Sequence, residues 1–487
     1  MRWGALGAFL LLAVAVPLVW TVTRPKATPA QVEVRDSSVG VLPFRDLSDD
    51  RHLQYLADGL TEEIIDLLGN VPGLRVPART SSLYFKDKSV NAQEIARILG
   101  VSHLLEGSVR RVGDNLRITT ALSRADSGYQ VWSQTYEVGG SEIVAIQHDI
   151  AAAVARNLSD LMLPATPLTA ASPSEVEAYD AVLKARFLLS HGVDAENREA
   201  IDVLQGALAR APTYAAAWAE LARAHRHRAS HFDETPDHDI AVARAEARKA
   251  LLLDPHCVDA HNVLADIART YDYDPVAGAR EVAAVRALDP AKAATNGDLL
   301  DIYSGCVLGP CYEKVIRDTN EQMINDPLNP IPYWMQALAR YVFGDFAGAE
   351  RDIRHAIALS PGNEYQQFLL ARILFARLDR VQLQAMTKTA PDSLHHRASL
   401  VLAFQALGRD READTALRDL TLHNASDGAY QIAEMYAASG RLNDAMSWLQ
   451  RAYLQHDSGL WAMKVDPFFR KLADDQRFIS LEAQLHM

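Results

Sequence analysis

Asp58, Glu62, Glu63, Arg79, Ser81, Ser82 and Glu106 are the densest set of chemically capable side chains in the front part of the sequence. Carboxylates at this density can exchange protons, and an arginine beside two serines can grip a phosphate or a carboxylate. The set has no nucleophile beside a base, no metal-ligand spacing and no glycine-rich phosphate loop ending in Gly-Lys-Ser/Thr. No catalytic residue and no cofactor are therefore expected. The same residues read as structural: Asp58-Gly59 as a helix start, Arg79 to Ser82 as a strand-to-loop cap, and Glu106 as a partner of Arg110 or Arg111 across a sheet.

A second set holds His225, His227, His231 and His238 among Asp233, Asp237 and Asp239. Imidazoles and carboxylates of this kind suit zinc, nickel or copper, and His227 and His231 at i, i+4 share one helical face. Arg223, Arg226 and Arg228 interleave with them and oppose a cation, so no metal is assigned. A pH-responsive patch is the better reading, since histidine titrates near about pH 6.5. The three cysteines, Cys257, Cys306 and Cys311, are too few for a disulfide scaffold and lack the paired spacing of a zinc ribbon. In an oxidising compartment Cys306 and Cys311 can close a short disulfide loop through the Gly309-Pro310 turn; otherwise they are packed thiols.

The elements that must position these groups follow from the wider pattern. The chain has 487 residues, enough for several structural units, and carries a net charge of -13. Nucleic-acid binding is not expected of so acidic a chain, because it depends on Lys and Arg neutralising phosphates. Residues 1–174 carry only -2 of that charge and the remainder -11, so the acidic surface belongs to the C-terminal part.

Gly4 to Val22 is an uncharged run of 19 residues, long enough to cross a hydrocarbon core of about 30 Å. Trp3 and Trp20 flank it at the expected interfaces. Residues 1–23 are therefore expected to form a transmembrane helix; a cleaved signal peptide with Ala13-Val14-Ala15 as its site is the competing reading. Residues 24–37, polar and holding two prolines, read as a linker.

From 38 to 162 the pattern predicts an α+β domain of order β-α-β-α-β-β-β-α, a mixed sheet with helices packed on it. Strands are expected at Ser38–Phe44, Leu74–Ala78, His103–Arg111, Leu116–Ser123 and Tyr129–Val138, with turns at Gly113-Asp114-Asn115 and Asp126-Ser127-Gly128. Helices are expected at Leu53–Leu68, at Asn91–Leu99 before Gly100, and from Ser141 to about Leu161.

Several blocks occur in order here: Val41-Leu42-Pro43-Phe44, Ala57-Asp58-Gly59, Ala78-Arg79 with Ser81-Ser82, Leu99-Gly100, Leu105-Glu106-Gly107-Ser108-Val109, and Trp132 with Tyr136. They resemble the TolB-like amino-terminal domain of bacterial envelope proteins, of CadC-type membrane regulators and of proteins associated with adenylate cyclase domains. That resemblance implies a body outside the cytoplasmic membrane, in the periplasm.

After a second linker at 163–173 the sequence turns helical and rich in Ala and Leu, with Pro212, Pro255, Pro290, Pro327, Pro361 and Pro391 spaced 43, 35, 37, 34 and 30 residues apart. A recurring spacing of that size means stacked helical hairpins, about eight of them across 174–460. Gly344-Asp345-Phe346 with Ala349, Ala356 and Pro361, and Gly440-Arg441-Leu442 with Ala445 and Ala452, resemble tetratricopeptide repeats; Ala200, Ala207 and Pro212 form a degenerate copy. The 43-residue spacing is expected to place an inserted loop at His225–Asp239, and Asp466-Pro467-Phe468-Phe469 with Arg477-Phe478 a cap, so that 174–487 is an all-α solenoid.

The repeat resemblance implies a groove that binds partner proteins or peptides, with Trp334, Leu338 and Tyr341 as candidate lining residues. The first expectation is a membrane-anchored periplasmic interaction protein, held by its N-terminal helix. The alternative is the sensory half of a CadC-type regulator or a cyclase-associated protein without its output domain, since only Met1 to Trp3 precede the apolar run.

Overall fold

The computed structural model describes residues 35–49, 52–113, 115–139, 143–159, 172–231, 236–289, 312–388 and 393–486. The expected transmembrane helix, both cysteines of the proposed disulfide and most of the second linker lie outside the described residues. Among the described residues no helix is long and apolar enough to cross a membrane.

The first part is a mixed sheet. Strands β1 (Arg35–Val41), β2 (Arg45–Asp46), β3 (Val101–Val112), β4 (Asn115–Arg124) and β5 (Gln130–Val138) assemble in the order β1-β3-β4-β5, with β2 also beside β3. β1 and β2 run parallel to β3, whereas β3-β4 and β4-β5 are antiparallel. Helices α1 (Gln54–Gly69), α2 (Arg79–Leu83), α3 (Ala92–Leu99) and α4 (Ile143–Ser159) complete the domain.

Local chemistry accounts for these elements. In β4 Leu116, Ile118, Thr120 and Leu122 are buried at every second position, the period of a strand with one wet face. Leu56, Leu60, Ile64 and Leu68 recur every four residues on α1 and join Val41, Leu105, Val109 and Ile118 in one core. The Asn91 side chain accepts the Glu94 N–H at the start of α3, and Gly100 ends that helix in the left-handed conformation, φ 65°.

The strand expected at Leu74–Ala78 is not formed. Only a parallel bridge between Ser38 and Arg75 remains, through Arg75 N to Ser37 O and Val39 N to Arg75 O. Pro77 has no N–H to donate and Pro72-Gly73 turns the chain just before, so pairing cannot extend either way.

Helix α5 (Pro173–Leu189) opens the array, its start fixed by a capping box between Ser172 and Glu175. It pairs with Asp194–Arg210, and then follow Ala215–His231 with Asp237–Leu253 and Val258–Thr270 with Pro275–Leu288. Beyond Tyr312–Asn325 come four further hairpins: Pro330–Phe343 with Phe346–Leu359, Glu364–Ala376 with Arg380–Met386, Leu394–Ala406 with Asp410–Asn424, and Ala429–Ala438 with Leu442–Leu454. Ala200, Ala349, Ala356, Ala445 and Ala452 are fully buried, which lets paired helices approach closely.

The 43-residue spacing is not met by an inserted loop. Its two helices, Ala215–His231 and Asp237–Leu253, are 17 residues each, against 13 and 14 in the next pair. Alanine, arginine and leucine throughout this stretch favour helix, so the extra residues lengthen both arms. The 30-residue spacing becomes a second helix of only 7 residues, Arg380–Met386.

Two 3-10 turns, Ser458–Ala462 and Pro467–Leu472, and the helix Gln476–Gln484 close the array, burying Phe469, Leu472, Phe478 and Leu481 over its last hairpin. The sheet domain and the array share a core as well: Leu183 of α5 belongs to the cluster between α1 and the sheet. Gly59 makes this possible, because a Cβ there would lie 2.8 Å from the Leu183 methyls. Asp58-Gly59 is thus a helix-packing feature inside α1 rather than a helix start.

Candidate functional site

The charged residues of the sheet domain are not gathered into one site. Lys86 pairs with Asp58 at 2.7 Å, Arg79 with Glu62 at 3.3 Å and Arg186 of α5 with Glu63 at 3.6 Å. Glu106 stands exposed on β3 opposite Ala121 and pairs with neither Arg110 nor Arg111. Four strand residues span about 13 Å, beyond the reach of a Glu106–Arg110 pair, and Arg111 points to the other face.

Ser81 and Ser82 are fully buried, and Ser81 is a latch to the array. Asp326 Oδ1 accepts hydrogen bonds from Ser81 N at 2.9 Å and from the Ser81 hydroxyl, whose oxygen accepts the Leu328 N–H at 2.9 Å. Arg75 adds a hydrogen bond to the Ile324 carbonyl at 2.6 Å. Burial pushes the Asp326 carboxyl up from its ordinary value, against the pull of the Ser81 bonds. Replacing Asp326 by alanine strands the buried Ser81 donors and is expected to cost about 1–3 kcal/mol. Hydrogen exchange should then quicken in 79–83 and 324–330 first, and unchanged protection there would contradict the latch.

The histidines also diverge. His225 is buried, with Nδ1 3.2 Å from Asp239 Oδ1 and Nε2 3.6 Å from Glu246 Oε1. His227 lines a cavity partly open to solvent, His238 is exposed, and the His231 side chain and Asp233 lie outside the described residues. Asp237 instead takes a hydrogen bond from the Tyr271 hydroxyl. No group of three or more metal-ligating side chains converges among the described residues.

Burial, and next the charge of Asp239, push Glu246 up to about 8, while burial pushes His225 down. A carboxyl raised on folding contributes stability that is complete below its unfolded value and lost as pH rises through its folded value. His225 acts below the ordinary histidine range, so from about pH 6.5 to 8 the slope comes from raised carboxyls, Glu246 and the buried Glu434 among them. Urea midpoints should fall with pH across this window, and less steeply in Glu246→Gln; parallel slopes in the two proteins would remove Glu246 as a cause.

The cavity is partly open to solvent and measures about 1240 Å³. It forms because the array's end returns to its third hairpin: the rings of Tyr271 and His456 stack at 4.0 Å, and His456 Nδ1 lies 3.0 Å from the Tyr271 carbonyl oxygen. The early hairpins contribute Arg223, Arg226 and Arg269 to the lining. Asp266 takes Arg226 at 2.7 Å and Arg269 at 2.6 Å. The later hairpins contribute Trp334, Leu338, Tyr365, Phe368 and Tyr430.

Trp334 and Leu338 therefore reach the cavity as expected of candidate lining residues. Tyr341 does not: it is 2% exposed, packed against Ala337 and Phe346, with the Arg372 guanidinium 5.0 Å from its ring. Seven residues is nearly two helical turns, so Tyr341 shares the face of Trp334, but Phe346 and Arg372 cover it there.

Beneath the aromatic lining lies a buried ionic cluster that local patterns do not mark as a unit. Arg372 Nη2 is 2.6 Å from Asp466 Oδ2, Arg372 Nη1 is 3.1 Å from Glu434 Oε1, and the Tyr430 hydroxyl donates to Asp466 at 3.1 Å. Its available sequence signal is one lone charge in each of two otherwise apolar runs, Phe368-Leu369-Leu370-Ala371-Arg372 and Ile432-Ala433-Glu434-Met435.

No known family profile matches the chain. The chain is 34% identical over 195 residues to a protein of Rhizobium meliloti (strain 1021) named "Putative adenylate cyclase 3". That stretch is 40% of this chain and 33% of the relative, so the chain spans about a third of the length of the protein it resembles.

Proposed function

We propose that this protein works by binding: it is a membrane-anchored interaction protein of the bacterial envelope, its body in the periplasm, that holds a segment of a partner protein in the cavity of its helical array. The cavity is the observation that supports this reading. At about 1240 Å³ it exceeds the range of about 300–1,000 Å³ usual for small ligands. Its lining mixes aromatic faces with charged groups of both signs, as side chains of a bound segment require. The repeat-like hairpins support the same reading, and the uncharged run 4–22 supports the anchor.

A second reading is favoured by the 195-residue match to a protein named as a cyclase. In it the chain is the sensory part of a cyclase-associated signalling protein, and the same cavity receives the signal. A benzophenone amino acid at position 338, irradiated in membranes, is expected to capture a discrete protein; no product above the unirradiated control removes the binding reading. Cyclic AMP formed from magnesium ATP by the purified full chain would replace it with an enzymatic one. A reporter fused after residue 174 that is active in the cytoplasm would overturn the periplasmic placement.

A further inference from the structure

Three polar side chains at the base of the cavity are more than nine-tenths buried and incompletely bonded. Arg372 is 9% exposed, Gln431 7% and Glu434 0%, and all three line the cavity. Arg372 Nε and Gln431 Oε1 have no hydrogen-bond partner, and the Glu434 carboxyl has none but the neighbouring Asp466, with which it can share a proton. The 3.1 Å approach of Arg372 Nη1 to Glu434 is an ion pair without hydrogen-bond alignment. Buried polar groups are nearly always bonded, so a set of orphans at one cavity base marks a place where something polar sits.

The chemistry of the set selects the occupant. Asp466 is fully engaged, accepting from Phe468 N through Oδ1 and from Arg372 and Tyr430 through Oδ2. Gln431 and Glu434 leave three oxygens without a donor, whereas among the Arg372 nitrogens only Nε has no partner, Nη1 and Nη2 lying against Glu434 and Asp466. Two carboxylates against one guanidinium give the cluster a net negative charge once both are ionised. Tyr365, 46% exposed, Phe368 and Tyr430 present aromatic faces beside it, which attract a cation, and Asp427 lies exposed at the rim.

We propose that the base formed by Arg372, Gln431 and Glu434 receives a cationic side chain, lysine or arginine, of the segment bound in the cavity; this rests on the cavity being a peptide site. The ammonium or guanidinium donates to Glu434 and Gln431 and lies against the rings. Arg226 and Arg269, which share Asp266, repel a cation at the early hairpins and so fix which end of the cavity takes it.

Proton linkage follows from the surroundings of Glu434. Burial raises its carboxyl well above the ordinary value, opposed by Arg372 and reinforced by Asp466 and Asp457, with the hydroxyls of Tyr430, Tyr365 and Tyr341 nearby. An arriving cation recharges it, so one proton leaves Glu434 for solvent as the cation enters, and binding strengthens as pH rises.

The test is calorimetric titration of the full chain with capped Gly-Gly-Arg-Gly-Gly, its citrulline counterpart and Gly-Gly-Glu-Gly-Gly. The arginine peptide is expected to bind about tenfold or more tighter than the citrulline peptide, with proton release seen as a buffer-dependent heat. Glu434→Gln should weaken it about tenfold, Gln431→Leu should weaken it too, and Glu434→Asp should stay within about threefold, all with unchanged thermal melts. Equal binding of the arginine and citrulline peptides, or indifference to Glu434→Gln, overturns the proposal and leaves water as the occupant. If the glutamate peptide alone binds and Arg226→Gln abolishes it, the cavity remains a peptide site and only the cationic base falls. If no peptide binds and position 338 captures no protein in membranes, both fall.

Discussion

Arg372→Leu is expected to destabilise the C-terminal hairpins by about 3–5 kcal/mol, the cost of removing one partner from a buried ion pair. Arg372 sits between Asp466 and Glu434, whose side chains are both 0% exposed, and also lies over the rings of Phe368 and Phe468. Without it two carboxyls remain in a region with no compensating cation, and Asp466 loses a bond that ties the closing 3-10 turn to the helix Glu364–Ala376. Equilibrium urea unfolding should show the loss, and hydrogen exchange should place it in 429–472. Adding Glu434→Leu and Asp466→Asn should recover much of it, because the penalty lies in the stranded charges rather than in the missing attraction. A loss below about 1 kcal/mol in the single variant would mean that water already solvates this cluster.

Phe44→Ala should be of similar size, about 3–5 kcal/mol, confined to the sheet domain. The ring is 1% exposed and lies directly on Gly107 of β3, where an added Cβ would stand 2.2 Å from its Cε1 and 2.4 Å from its Cζ. Gly107→Ala pushes against that ring from below and should cost about 1–3 kcal/mol by overpacking. The two positions share one contact, so Gly107→Ala in a Phe44→Leu background should cost clearly less than in the wild type. Additive losses in the double variant would separate the two residues and leave the glycine's place in the strand unexplained by Phe44.

Much of the fold was legible because it is written locally. Asn91 and Gly100 bound α3 as capping chemistry requires, Gly344-Asp345 turns a hairpin, and the alanines expected at close helix contacts are buried. Where local rules misled, a neighbour was responsible. Asp58-Gly59 looked like a helix start and is the point where α5 crosses α1; Leu74–Ala78 looked like a strand and is limited by the prolines beside it. The histidine stretch looked like an inserted loop, yet 225–231 and 237–239 belong to helices, with His225 a buried, carboxylate-bound imidazole.

The site was legible only in part. Trp334 and Leu338 were reached from the face of one helix, whereas Arg372, Gln431 and Glu434 come from helices whose relation depends on everything between them.

The sequence by itself determined the long helices and strands, the hairpin repeat and the small residues that let helices pair, since each is a matter of periodicity and turn chemistry over a few residues. The tertiary structure decided which distant residues meet: Arg372 with Asp466, 94 residues apart, Tyr271 with His456, 185 apart, and Ser81 with Asp326, 245 apart. Those meetings depend on the summed rotation of successive hairpins, each small and set by packing at its own interface. No local pattern records that sum, and it is what closes the array on itself and makes the cavity.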